Sequence, residues 1–259
     1  MSTAVLFVSH LVNKRYLDRY LKLRDDLKGR YDVYWLFQAD TGVSGELLYN
    51  HGVNVVEFTL DELNDLNYSP IGEHLIPGNA HFIMEYFYHL HSEYQNYWFV
   101  EYDVVFTGKW SDLMDAFADN DADFLSSHIE RRNKQNEQWA WWPTLSFSCE
   151  DTVPEENQIK SFNPVYRISN HALHFLDEYM QRDGNQGHFE TSMPTALYNN
   201  GFRIEDFGGK GEFVMQGYYN RFYIQANGIN NGTMRWRPVY QPDDVDPLQS
   251  PNKLFHPVK

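Results

Sequence analysis

Apolar positions along this chain keep two rhythms, and they alternate. Mainly apolar runs at Ala4 to Ser9, Asp32 to Gln38 (DVYWLFQ) and Val53 to Phe58 read as strands, the first of them buried. Between the first two, Tyr16, Leu17, Tyr20, Leu21, Leu23 and Leu27 recur at helical spacing, and Gly29 is a plausible stop. Pro77-Gly78-Asn79 leads into another helix, with Asn79 as its cap and Phe82, Ile83, Tyr86, Phe87 and Leu90 along one face. A further helix carries Leu113, Met114 and Phe117, with Ser111 as its cap. Strands and helices in this order predict an α/β class with a mostly parallel central sheet, flanked by helices and joined by right-handed crossovers.

The second half is less regular. Ala122 to Ser127 reads as a strand, and Glu130 to Gln138 as a polar loop leading into Trp139-Ala140-Trp141-Trp142-Pro143. Asn163 to Ser169 reads as a strand, with Ser169 or Asn170 capping a helix through Met180. A short helix within His188 to Asn200 closes at Gly201, and Phe202 to Phe207 reads as a strand. From Gly208 onward the chain is rich in Gly, Asn, Pro and aromatic residues. No internal repeat or linker interrupts it, so residues 1–259 are expected to form a single domain.

One strand stands apart. Tyr97 to Gly108 (YWFVEYDVVFTG) is apolar except for Glu101 and Asp103, two residues apart and therefore on one face of a strand. Two adjacent carboxylates in a buried setting are costly unless a divalent cation or a set of donors compensates them. The open end of an α/β sheet, where ligands bind, is where such a pair is expected. The alternative is a strand whose acids simply emerge into solvent.

The bulk properties narrow the choice. With 42% hydrophobic and 17% aromatic residues in 259, the chain can bury a sizeable core. A formal net charge of -15 argues against a nucleic-acid partner, and an anionic ligand would need a metal ion or a local basic pocket. Cys149 is the only cysteine, so no internal disulfide forms. The apolar run Ala4 to Val8 is too short for a signal peptide or a membrane span. Asn231-Gly232-Thr233 matches a glycosylation sequon and is read as chance. No transmembrane segment and a cytoplasmic location are expected.

These features together resemble the GT-A glycosyltransferases. Glu101-Tyr102-Asp103 is similar to the family's Asp-x-Asp motif, with Glu in place of the first Asp. The string continuing through Thr107-Gly108 and Trp110 also resembles bacterial and fungal glycosyltransferase-like proteins of uncharacterised specificity. His188-Phe189-Glu190, with Met193-Pro194-Thr195 and Gly201, is similar to a downstream acidic motif, and Phe255-His256-Pro257-Val258-Lys259 to a late histidine segment. The order of these segments along the chain carries the resemblance.

The resemblance implies a single GT-A-like domain, with residues 1–110 as the nucleotide-binding half and 111–259 as the acceptor-side half. It implies Mn²⁺ or Mg²⁺ held by Asp103, Glu101 and His256, the histidine nitrogen favouring Mn²⁺. Glu101 would be a ligand, directly or through water, or a hydrogen-bond partner of the sugar or ribose. Lys253 and Lys259 would contact phosphate, and Ser9, His10, Gln38 and Asp40, at the ends of the first strands, would lie near the base or ribose. Glu190 would be the general base if configuration is inverted and would position the sugar if it is retained, with Glu205 and Asp206 as competing acids. The Trp139–Trp142 cluster would offer flat faces to an acceptor sugar, Arg131 and Arg132 would read an acidic acceptor, and Gly208-Gly209-Lys210-Gly211 would be a flexible loop closing over the donor. The implied activity is transfer of a hexose from a nucleotide-diphosphate sugar to a glycan-type acceptor, in surface polysaccharide or glycan assembly. The alternatives are a metal-dependent phosphoester or pyrophosphate hydrolase, which would favour a second metal, and a non-catalytic sugar-binding or protein-binding relative.

Overall fold

A computed structural model describes residues 2–72, 75, 77–148, 152–226 and 232–259; Cys149 and Asn231 lie outside the described residues. The elements in chain order are β1 (Thr3–Ser9), α1 (Lys14–Leu27), β2 (Asp32–Gln38), α2 (Glu46–Asn50), β3 (Val55–Phe58), α3 (Leu60–Asn64), α4 (His81–Leu90) and β4 (Asn96–Glu101). There follow β5 (Val105–Phe106), α5 (Trp110–Met114), β6 (Phe124–Arg131), β7 (Ile159–Ser169), α6 (Asn170–Met180), α7 (Phe189–Asn199), β8 (Ile204–Asp206) and β9 (Leu254–Phe255).

Seven strands form the main sheet, in the order β3-β2-β1-β4-β7-β6-β8. β7 runs antiparallel to both neighbours, and the other six strands share one direction. The expected α/β class with a mostly parallel sheet is therefore the observed one. Alternate residues of β1 feed two cores: Ala4, Leu6 and Val8 join Phe82, Phe87, Leu173 and Leu197 on one face, while Val5 and Phe7 join Leu17, Leu23, Trp98 and Leu113 on the other. Both faces are covered, which explains why the central strands carry no polar alternation.

Most strands and helices fall where the hydrophobic rhythm placed them, but their ends differ. β3 begins two residues later than expected, β6 continues through Glu130 and Arg131, and β7 begins at Ile159. The polar ends of β6 and β7 pair with each other, Glu130 opposite Lys160, so charge there marks a strand rather than a loop. Asn79 does not cap α4; its side chain accepts from Ile71 N at 3.1 Å and donates to Ile71 O. Leu90 is 53% exposed, whereas Met84, Glu85 and Tyr88 are buried, because α4 is packed on more than one side. Ser111 lies inside α5, which starts at Trp110 with its N–H donated to Asp26 Oδ2 at 3.0 Å.

After β4 the chain turns and forms β5, which pairs antiparallel with β9 near the C-terminus. The last residues are thereby laid against the end of β4, with Val258 N donating to Asp103 O at 2.8 Å. The Gly208–Gly211 segment is not a free loop. Asp206 is fully buried and accepts from Gly208 N (2.8 Å) and Gly209 N (2.7 Å) on one oxygen, and from Tyr223 Oη (2.8 Å) and Ile129 N (3.1 Å) on the other. A Cβ at Gly209 would run into the Tyr223 hydroxyl and the Gln225 side chain. Gly209→Ala is therefore expected to cost about 1–3 kcal/mol by overpacking, measured by denaturant unfolding, while Lys210→Ala changes stability by less than about 0.5 kcal/mol. Equal stability of the two variants would show that the turn is free to give way.

Candidate metal and acid–base site

The sheet opens where two strands part. β7 pairs with β4 only as far as Val100 opposite Val165, and β4 itself ends at Glu101. Glu101 and Asp103 do not share a strand face, as alternation would have it. Tyr102 and Asp103 lie in a tight turn closed by Val104 N to Glu101 O at 3.0 Å, and the turn brings both carboxylates to the same side. They sit at the carboxyl end of the parallel strands β1, β2 and β4, where α/β sheets bind ligands.

His256 meets both acids. Its Nε2 lies 3.4 Å from Glu101 Oε2 and 3.4 Å from Asp103 Oδ1. Its Nδ1 donates to the Arg235 carbonyl at 2.9 Å, which fixes the ring and leaves Nε2 facing the carboxylates. Lys259 Nζ is 3.4 Å from the other oxygen of Asp103. Arg19 ties the turn to the tail, Nη1 donating to Tyr102 O at 2.9 Å and to Val258 O at 3.1 Å.

Burial opposes charge on the His256 imidazole, but the Asp103 and Glu101 carboxylates beside it outweigh burial and raise its pKa to about 10. Burial likewise disfavours the Asp103 carboxylate, yet His256 and Lys259 hold its pKa below the ordinary value. Burial, with Asp103 beside it, pushes Glu101 up. Among the described residues, one donor atom each from Glu101, Asp103 and His256 lies within 4.8 Å of the others. Asp103 Oδ1 is buried and accepts no hydrogen bond. Two carboxylates, one of them with an unsatisfied buried oxygen, and an imidazole nitrogen that becomes a donor once an ion displaces its proton fit a divalent cation such as Mn²⁺ or Mg²⁺.

Glu190 lies in the first turn of α7, 8% exposed. His188 Nδ1 accepts from Glu190 N at 3.3 Å, and Glu190 Oε1 accepts from Asn163 N at 3.3 Å. Asn163 lies in β7 beyond its last pairing with β4, so its N–H is open to a side chain. Burial pushes Glu190 up to about 8; the Asn163 N–H opposes this, the charge of Glu101 adds to it, and His256 and Lys160 oppose it. Glu190 therefore belongs electrostatically to the same cluster as the two acids and the histidine.

The tryptophan segment borders this cluster unevenly. Trp142 is buried and donates to Asn136 O at 2.8 Å, a core role. Trp141 stacks on His188 at 4.2 Å with 7° between ring planes, and Lys160 Nζ lies 5.7 Å from the centre of the Trp139 ring.

The remaining expected residues are placed as follows. Ser9 is buried, and its hydroxyl closes a turn with Leu11 N and O. His10 is exposed beside Tyr102, ring centres 5.4 Å apart; burial and Lys259 lower its pKa. Gln38 donates to Asp40 at 3.0 Å, and Asp40 accepts from Leu60 N at 2.9 Å at the start of α3, whose cap is Thr59 in a capping box with Glu62. Glu205 is bonded to Arg203 and Asn120, and Asp206 is consumed by its four donors, so neither faces the cluster as a free base. Arg131 is engaged by Glu212 and Tyr198, Arg132 by Gln158 and Glu155, and Lys253 by Arg221 O.

Sequence reasoning missed Arg19, Lys160 and Asn163. Lys160 is 4% exposed, with Nζ 3.1 Å from Glu130 Oε2, and Glu130 also accepts from Gln225. A lysine between Ile159 and Phe162 in a buried run was the available signal.

No protein-family model matches the chain, and no curated protein matches it in sequence. Solved structures with a similar chain path include TarS residues 1–349 of S. aureus in complex with UDP-GlcNAc, 14% identical over 88% of this chain and 60% of that one (TM-score 0.44). Another is the galactosyltransferase LgtC in complex with donor and acceptor sugar analogs, 11% identical over 93% and 76% (TM-score 0.43). A third is the inositol-1-phosphate CTP transferase of T. maritima, 11% identical over 95% and 91% (TM-score 0.43). Among the described residues no helix is long and apolar enough to cross a membrane.

Because the Glu190 pKa of about 8 in the folded protein exceeds its ordinary 4.5, the folded protein holds that proton more tightly than the unfolded chain. The stability this contributes is complete below about pH 4.5 and is lost as pH rises through about 8. Glu190→Gln should therefore gain on the wild type as pH rises from 5 to 8.5 without added metal. The difference in Tm should widen by about 4 °C or more, at about 2–4 °C per kcal/mol. A difference independent of pH would show that Glu190 is not held protonated.

Proposed function

We propose that the chain is a metal-dependent glycosyltransferase of the GT-A type, moving a hexose from a nucleotide-diphosphate sugar to a hydroxyl of a glycan-type acceptor. The observation that carries this reading is the convergence of Glu101, Asp103 and His256 at the open end of the sheet, with Glu190 in the same electrostatic cluster. Asp103 and His256 are the proposed Mn²⁺ or Mg²⁺ ligands, with Glu101 as the third donor. A bound divalent ion supplies charge neutralisation for the departing diphosphate.

The chain's own residues do the rest. Lys259 offers an ammonium to the phosphates. Ser9, His10, Gln38 and Asp40 border the nucleoside at the ends of β1 and β2, His10 being the one beside the acid turn. Glu190 takes the acceptor proton in an inverting reaction; its raised pKa suits a base working near neutral to slightly alkaline pH. The half-buried faces of Trp139 and Trp141 border the acceptor side. Residues 1–110 and 111–259 act as the nucleotide and acceptor halves of one unit. A chain with Cys149 as its only cysteine needs no oxidising compartment, in keeping with a cytoplasmic enzyme of glycan assembly. Transfer is favoured over hydrolysis because, among the described residues, one carboxylate–histidine triad is found rather than the denser cluster of a two-metal hydrolase.

The test is thermal stability against UDP, GDP, CDP and ADP, each with and without Mn²⁺, in the wild type and Asp103→Ala. One nucleotide should raise Tm only with Mn²⁺, by about 5–10 °C at a hundredfold excess over Kd, and the variant should lose the shift. Release of that diphosphate from its sugar donor should then rise when an acceptor sugar is added. Stability indifferent to all four nucleotides would sink the reading, and release indifferent to every acceptor would turn it toward hydrolysis.

A further inference from the structure

Asp103 meets a cation on each of its two oxygens. Its Oδ1 faces His256, and its Oδ2 faces the Lys259 ammonium at 3.4 Å. The two cations are held very differently. His256 is buried, its Nδ1 fixed on Arg235 O, its N–H on Thr233 O, and its ring edge-on to Phe162 at 5.2 Å. It has no room to withdraw. The Lys259 backbone is equally fixed, with its N–H on Tyr240 O at 2.9 Å and the preceding Val258 held by Asp103 O and Arg19. The Lys259 side chain, however, is 42% exposed, and its ammonium lies over the Tyr102 ring, 5.9 Å from the ring centre.

We infer that Lys259 is a displaceable counter-ion: its ammonium and a divalent cation compete for Asp103, and ion binding expels the ammonium while the tail backbone and His256 stay in place. The inference rests on the metal site proposed above and adds what that site does to its neighbour. An ion within bonding distance of Asp103 would stand a few ångströms from Nζ with a like charge, so the two cannot share the carboxylate without mutual repulsion. A flexible, strongly hydrated ammonium on a four-carbon stem is the partner that yields. The expelled side chain, anchored at Val258, can swing only within its own reach of the site. The ion thus has to arrive before the lysine is available to an anionic ligand, which makes assembly ordered.

The experiment uses the whole protein with MnCl₂ alone and no nucleotide. Mn²⁺ affinity is measured by titration calorimetry for the wild type, Lys259→Met and Asp103→Asn. In parallel, acylation of the Lys259 amine by a dilute anhydride is quantified by mass spectrometry with and without Mn²⁺, lysines 14 and 134 serving as exposed references. Lys259→Met should bind Mn²⁺ about 5-fold or more tightly, since its competitor is gone. Lys259 acylation in the wild type should rise severalfold with Mn²⁺ relative to the references. In Asp103→Asn it should be high with or without the ion. Lys259→Met is expected to fold, because the side chain it replaces is partly exposed; its Tm verifies this. Mn²⁺ binding with equal or weaker affinity in Lys259→Met, or unchanged acylation on saturation with Mn²⁺, overturns this inference and leaves the metal site standing. Absence of Mn²⁺ binding in the wild type overturns both.

Discussion

Two carboxylates brought together at the mouth of a sheet repel each other, and the chain's last residues supply the positive charge that lets them stay. Glu101 and Asp103 come from the turn after β4, His256 and Lys259 from a tail some 150 residues later, and the pairing of β5 with β9 delivers one to the other. Arg19, from α1, ties both backbones with one guanidinium. Local structure, tail path and electrostatics thus depend on a single compensation of charge.

The second constraint is the reversed strand. β7 pairs with β4 along only part of its length, because β4 stops at Glu101, while the other edge of β7 pairs with β6 from Ile168 to Ile159. The unpaired stretch has backbone N–H groups that need acceptors, and Glu190 takes that of Asn163. The same opening that exposes the acids also recruits the candidate base. Asp206 repeats the device in a purely structural role, accepting four donors to hold the glycine turn and Tyr223. Two buried carboxylates of similar surroundings therefore differ in availability: one oxygen of Glu190 has a single weak donor, whereas Asp206 has none left to offer.

The aromatic residues show how much context decides. Three tryptophans within four positions look alike in sequence, yet Trp142 is core, Trp141 stacks on the capping His188, and Trp139 lies near Lys160. The two arginines before them are paired within the chain, Arg131 with Glu212 and Arg132 with Gln158. Lys160 and Glu130 were hidden because each looks like a loop residue, and only their cross-strand pairing brings them inward.

What the sequence by itself determined is the α/β class, the strands β1, β2 and β4, the amphipathic α1 and the presence of an acidic pair at the end of a buried strand. These follow from periodicity and from the cost of burying charge, which act over a few residues and leave a local trace. The tertiary structure decided what needs two distant segments: which way β7 runs, where β6 ends, and how Lys160 and Asn163 come to the site. It also decided which of Glu190, Glu205 and Asp206 keeps a free oxygen. Cross-strand pairing and charge compensation act between residues far apart in the chain, and no spacing within either partner records them.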